Sequence, residues 1–220
     1  MNDVETSPAA PAAGSWKELA SVAVPLVISN GTLSLMYVVD RVFLTWYSPD
    51  ALAASLPAML LHWMIMSFVL GTAGYTGTFV AQYDGAGRPE RVSAAVWQGV
   101  WFTLIAGGIL WSFAPLAAPI LALARHDSKL LVLEEEFFGV LCRGSLPFIL
   151  SAVLASFFSG RGKTWVVLIA NAITCAATVV LDYWMIFGAA GVANQAFKLH
   201  PEYPLVGVRG SAWATVLAAV

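Results

Sequence analysis

Four long stretches of this chain carry no charged side chain: 51–83, 92–124, 144–160 and 164–181. A helix needs roughly 20 mostly apolar residues to cross a bilayer. Two of these windows are long enough for a tilted helix with its ends among the headgroups. Lipid offers no hydrogen bonds to the backbone, so only helices or a closed barrel can span. Runs of this length without short alternating segments favour helices over a barrel. Composition agrees, with 59% hydrophobic and 11% charged residues where a soluble domain carries about a quarter charged. The expected fold class is all-α, a polytopic membrane helix bundle. A net charge of -2 points to no nucleic-acid partner. Cys142 and Cys175 lie inside apolar runs and are expected to pack as small side chains, not to form a disulfide.

Residues 1–15, "MNDVETSPAAPAAGS", are acidic, Pro/Ala-rich and aperiodic, and they lack the basic start and apolar core of a signal peptide. They read as a disordered tail ahead of a transmembrane region over 16–220. Six hydrophobic segments follow, at about 16–47, 51–82, 92–124, 132–160, 164–188 and 207 onward. The connections "YSPDA", "YDGAGRPERVS", "ARHDSK" and "SGRGKT" carry the Gly, Pro and Ser/Asp of helix stops and starts. The sixth segment has about fourteen residues before the chain stops, so it reads as a transmembrane helix cut short. Lys17, Arg88, Arg91, Arg161 and Lys163 would share one side, and Arg125, Lys129, Lys198 and Arg209 the other. The excess of positive charge tips the N-terminus toward the cytoplasm.

Two apparent motifs fail on inspection. "SFFSGRGKT" imitates a phosphate-binding loop and an intramembrane serine protease, but Phe157 stands where each needs glycine. Gly71, Gly74 and Gly77 recur every third residue and predict close helix packing. His62, alone in an apolar window, reads as a hydrogen-bonded core residue.

The fifth segment is more informative. Asn171, Thr174, Thr178 and Asp182 fall within an arc of about 80°, giving one polar face that ends in a carboxylate. Such faces look onto a water-filled cavity or another helix. In the first segment Asn30, Ser34, Tyr37 and Arg41 share a face, with Asp40 about 100° from Arg41. Pro25, fifteen residues before Asp40, should kink or weaken that helix. Asp40 and Arg41 sit close enough to the segment end to be an interfacial anchor, and an intramembrane carboxylate is equally a functional-site candidate.

Taken in order, these pieces resemble the multidrug and toxic compound extrusion (MATE) transporters. Pro25 with Asp40, "DALAA" at 50–54, "FVAQYDGAGRPERVSAAVWQG", Arg143 and Pro147 with "SGRGKT", and "LDYWMIFG" with "GVRGSAWAT" carry the likeness. It covers nearly all of the chain after residue 15. The resemblance implies one half of a twelve-helix, two-lobe transporter, present as the N-terminal six-helix lobe, with a C-terminal lobe expected in the complete protein. It implies a multi-pass protein of the bacterial inner membrane, no enzyme and no cofactor. The implied activity is antiport, in which inward proton or sodium flow drives export of small organic, often cationic, compounds. It places possible sodium or proton coupling at Asp40, with Asp182 and Thr215 in the same polar network and Thr178 where relatives often carry asparagine. Asp40 is then expected to face an internal polar cavity. Arg41 would stay near the outer interface or pair with an acidic neighbour.

The alternatives are a lipid-linked oligosaccharide or peptidoglycan-precursor flippase of the same superfamily, and a non-transporting membrane scaffold. A flippase needs several inward basic residues to grip pyrophosphate, and only Arg41 and Arg143 lie within apolar segments.

Overall fold

The computed structural model describes residues 16–123, 127–187 and 208–218, and the 1–15 tail falls outside them. Every regular element among these residues is helical: α1 (Trp16–Tyr47), α2 (Pro49–Gly85), α3 (Pro89–Phe113), a 3₁₀ turn (Ala114–Leu116), α4 (Ala117–Ala122), α5 (Ser128–Arg143), α6 (Ser145–Gly160), α7 (Thr164–Phe187) and α8 (Val208–Ala218). Four of the resulting helical stretches are long and apolar enough to cross a membrane: Leu19–Tyr47, Pro49–Gly85, Pro89–Ala122 and Thr164–Ile186. A fifth crossing is broken. Lys129–Arg143 and Ser145–Gly160 meet at a bend of 44°.

Local chemistry sets the boundaries. Ser48 is extended (φ −164°), and its hydroxyl oxygen accepts from the Asp50 N–H while Pro49 opens α2. At the other end Gly87 is left-handed (φ 66°), with Arg88 N–H on the Tyr83 carbonyl and Gly87 N–H on that of Asp84. Gly162 (φ 71°) repeats the arrangement, with Lys163 N–H on Phe158 and Gly162 N–H on Ser159. Both stops have the paired hydrogen bonds of a Schellman end, where glycine carries no Cβ penalty. Asp84 and Arg161 join these two turns at 3.0 Å, so the α2–α3 and α6–α7 turns lie at the same end of the bundle.

Two breaks were not anticipated. Pro115 has no N–H to continue α3, and the chain passes through a 3₁₀ turn before α4 resumes. Pro147 likewise cannot donate to the carbonyl of Arg143, and the fourth segment breaks at Gly144. Helix α1 runs through Pro25 as one element.

Tertiary neighbours do not follow chain order. Helix α1 packs mainly on α7, although α2 follows it directly; α2 packs on α3, α5 and α6; and α8 lies against α5 and α7. The expected glycine stripe on α2 is corrected: a Cβ at Gly71 or Gly74 would meet nothing, and only Gly77 approaches α6, with Ser156 at 3.2 Å. The tight glycines are elsewhere. A Cβ at Gly99 would sit 2.7 Å from Thr76 and Val153, and one at Gly107 2.8 Å from Leu146. Small residues are needed where helices touch because lipid gives apolar side chains no drive to leave it. Consistent with that setting, Trp16, Leu60, Met64, Phe68, Trp101 and Ile173 point outward. Both cysteines are buried and free.

Candidate functional site

The buried stripe of α1 is Pro25, Ser29, Met36, Asp40 and Leu44. Asp40 is 6% exposed and Arg41 is half-buried, and both line one cavity of about 50 Å³. The expectation that Arg41 stays at the outer interface is therefore corrected. Its side chain is long enough to turn back toward α2, where Nη1 donates to Ser55 and Nη2 to the Met59 sulfur at 2.7 Å. Arg41 Nε lies 3.8 Å from Asp40 Oδ2, an ion pair without a hydrogen bond. Asp40 Oδ1 instead accepts the hydroxyl of Ser211 on α8.

The remaining wall is aromatic and sulfur-rich. Tyr37 meets Trp63 edge to face at 6.2 Å, and Trp63 meets Phe148 at 6.1 Å and 90°. His62 bonds Ser145 at 2.9 Å, immediately after the break in the fourth span. The Ser145 hydroxyl donates to the Leu141 carbonyl (2.9 Å), so the His62 Nε2–H is the donor to Ser145. This confirms His62 as a hydrogen-bonded core residue and gives it a place at the cavity.

Along α7 the polar face packs on α1. Asn171 Nδ2 donates to Ser29 Oγ at 2.5 Å. Thr178 is buried, and its hydroxyl is spent on the Thr174 carbonyl at 2.9 Å. Asp182 is fully buried, and neither carboxylate oxygen has a hydrogen-bond partner among the described residues. Asp40 is close enough to act on it electrostatically. Two carboxylates from α1 and α7 thus face each other's field inside the lobe.

Other expected site residues lie elsewhere. Asn30 and Ser34 are on the exposed side of α1, where the Ser34 hydroxyl bonds the Asn30 carbonyl (3.1 Å). Thr215 falls on α8, but its side chain lies outside the described residues. Arg143 is exposed, leaving Arg41 as the arginine at the cavity, among the described residues. No group of three or more metal-ligating side chains occurs among the described residues. Sequence reasoning missed Ser55, Ser145 and Ser211, whose type is too common in membrane helices to single out. It also missed Glu134, fully buried on α5 within a run of three glutamates.

A membrane-embedded helical lobe with buried carboxylates around a small polar cavity is the architecture of an ion-coupled transport protein. The sequence model of the MatE family matches residues 25–184, and the chain belongs to that family. It is 27% identical over 203 residues to "Probable multidrug resistance protein NorM" of Thermotoga maritima, covering 92% of this chain and 41% of that protein. With "Probable multidrug resistance protein YoeA" of Bacillus subtilis it shares 25% over 212 residues, 93% of this chain and 42% of the relative. A multidrug resistance MATE family transporter of the MOP superfamily, solved in an outward-facing conformation, has the same fold at TM-score 0.79 and 20% identity, over 92% of this chain and 42% of that one. The chain thus spans about 41% of the length of the first of these relatives. The flippase reading is not favoured by these matches.

Proposed function

We propose that this chain is the N-terminal lobe of a cation-coupled antiporter that exports small organic compounds, with proton or sodium as the coupling ion. The observation that carries the reading is the Asp40–Asp182 arrangement. Asp182 is fully buried without a hydrogen-bond partner among the described residues, beside a second buried carboxylate. Two desolvated anions at close quarters are costly, and a proton or a sodium ion relieves that cost. Family membership and the multidrug-resistance names of the relatives support export of organic compounds. A second six-helix lobe supplies the other wall of the transport cavity in this reading, since alternating access moves one repeat against the other. The N-terminus lies in the cytoplasm and the membrane is the bacterial inner membrane.

The test is drug efflux from proteoliposomes containing the complete transporter, under an imposed pH or sodium gradient. Asp40→Asn keeps the side chain's size and removes its charge, so export should lose its dependence on the gradient while gel filtration shows a folded protein. Export by Asp40→Asn as fast as wild type under both gradients would return Asp40 to the role of interfacial anchor.

A further inference from the structure

Asp40 and Arg41 are consecutive residues, carry opposite charges, and both line the cavity. An internal ion pair that simply cancelled itself would bring the guanidinium into hydrogen-bond contact with the carboxylate. Here the closest approach is 3.8 Å, through Nε. The guanidinium is turned aside instead, onto a serine oxygen and the thioether of Met59, a weak acceptor. Two of its five N–H groups are used in these bonds, and Asp40 is bonded by the Ser211 hydroxyl alone among the described residues. Each charge therefore keeps capacity for a partner of opposite sign. Immediately beside them runs the aromatic wall of Tyr37, Trp63 and Phe148.

We propose that the cavity recognises a zwitterion: an aromatic compound whose carboxylate docks on Arg41, whose ammonium faces Asp40, and whose ring lies along Tyr37, Trp63 and Phe148. A singly charged compound would leave one of the two groups desolvated without a partner, which is the stronger basis for discrimination in a buried site. The cavity of about 50 Å³ has room for a charged head group, whereas whole-ligand sites run to about 300–1,000 Å³. The rest of the ligand belongs outside it. Arg41 binds planar carboxylates better than a lysine would, because its fork can give two parallel hydrogen bonds. The inference rests on the transporter reading and fits exchange: a coupling ion on Asp40 removes the partner of the ammonium and loosens the ligand.

The test is equilibrium binding of radiolabelled 2-naphthylalanine to the purified complete transporter, competed by its carboxamide (a cation) and its N-acetyl derivative (an anion). The zwitterion should bind about tenfold or more tightly than either, a difference of one hydrogen-bonded charge contact. Arg41→Gln should bring the zwitterion down to the affinity of the carboxamide while leaving the carboxamide unchanged. Asp40→Asn should do the same relative to the N-acetyl compound, and Arg41→Lys should restore part of the loss. A merely structural role for Arg41 would weaken all three ligands together, and that result overturns the proposal. A wild-type transporter that binds the carboxamide as well as the zwitterion overturns it too, without needing any variant to fold, and leaves the transporter reading standing. If none of the three binds and no organic cation is exported, both readings fall.

Discussion

Gly144 tests the packing that holds the broken span together. It caps α5 with an ordinary backbone conformation (φ −83°), so any residue can adopt its geometry. A Cβ added there would overlap the Val216 side chain on α8, and Val216 Cγ1 and Cβ are 2.8 and 2.9 Å away. Gly144→Ala is thus a substitution whose cost lies in contact, with no left-handed strain. Overpacking by one methyl costs about 1–3 kcal/mol, offset by about 0.4–1 kcal/mol from the stiffer unfolded chain. The net expectation is a loss of about 1–2 kcal/mol. Val216→Ala alone removes two methyls from a residue that is 9% exposed; at roughly 0.8 kcal/mol each this is about 1.6 kcal/mol, an upper value in lipid. In the double variant the new methyl occupies the space Val216 vacates. The two effects should then fall short of additivity by about 1–2 kcal/mol. Equilibrium unfolding in mixed detergent micelles, followed by circular dichroism, measures all four corners of the cycle. Additivity within about 0.5 kcal/mol, or a Gly144→Ala protein as stable as wild type, would refute the docking of α8 into the break.

Other predictions are briefer. Asp182→Asn should weaken gradient dependence of efflux less than Asp40→Asn, because it leaves the cavity-lining carboxylate in place; an equal or larger effect would make Asp182 the principal ion site. Single cysteines replacing Asp50 and Arg88, at opposite ends of α2, should react with an impermeant maleimide from opposite faces of the membrane, and one replacing Lys163 should follow Arg88. Labelling of all three from one face would sink the topology. The Asp84–Arg161 pair is more than a third exposed on both sides and should be worth only about 0.2–1 kcal/mol. Asp84→Arg should destabilise by that order, and the exchanged pair with Arg161→Asp should recover it in the same unfolding assay. The chain expressed alone should give a pump-deficient host no drug resistance, and robust export by it would point to two copies assembling in place of two lobes.

The positions of the helices were readable because lipid imposes length and charge rules that act residue by residue. Apolar runs ended by "GAGRP" and "SGRGK" could only be helices stopped by left-handed glycines, and Gly87 and Gly162 take that conformation. What the runs concealed was their own interruption. The charge-free window that begins at Gly144 looked continuous with the segment before it, yet Pro147 withholds the N–H that Arg143 needs and the helix bends there. Glycine spacing misled on α2 for a related reason: a small residue permits close approach and does not require it, so Gly71 and Gly74 are open while Gly99 and Gly107 are tight. At the site, Asp40 and Asp182 were legible because an intramembrane carboxylate is rare and must be accommodated. The face of α1 was not. Polarity grouped Asn30, Ser34, Tyr37 and Arg41, whereas the buried row is Pro25, Ser29, Met36, Asp40 and Leu44. Inside a bilayer polarity is a poor guide to burial, since contact with α7 decides which side is covered.

Helix α8 ties these features into one assembly. Ser211 holds Asp40 and Val216 fills the space over Gly144, five residues apart on the same short helix, a rise of roughly 7.5 Å. Ser145, next to Gly144, is in turn held by His62 from α2. The carboxylate of the first span and the break in the fourth are therefore not independent neighbours. A displacement of α8 that lengthens the Ser211–Asp40 bond also moves Val216 across a position where there is no room for even a methyl group. Packed interfaces of this kind do not deform smoothly. Whatever neutralises or binds Asp40 consequently acts on a contact that reaches the bend between α5 and α6, through one hydrogen bond and one van der Waals contact on a single helix.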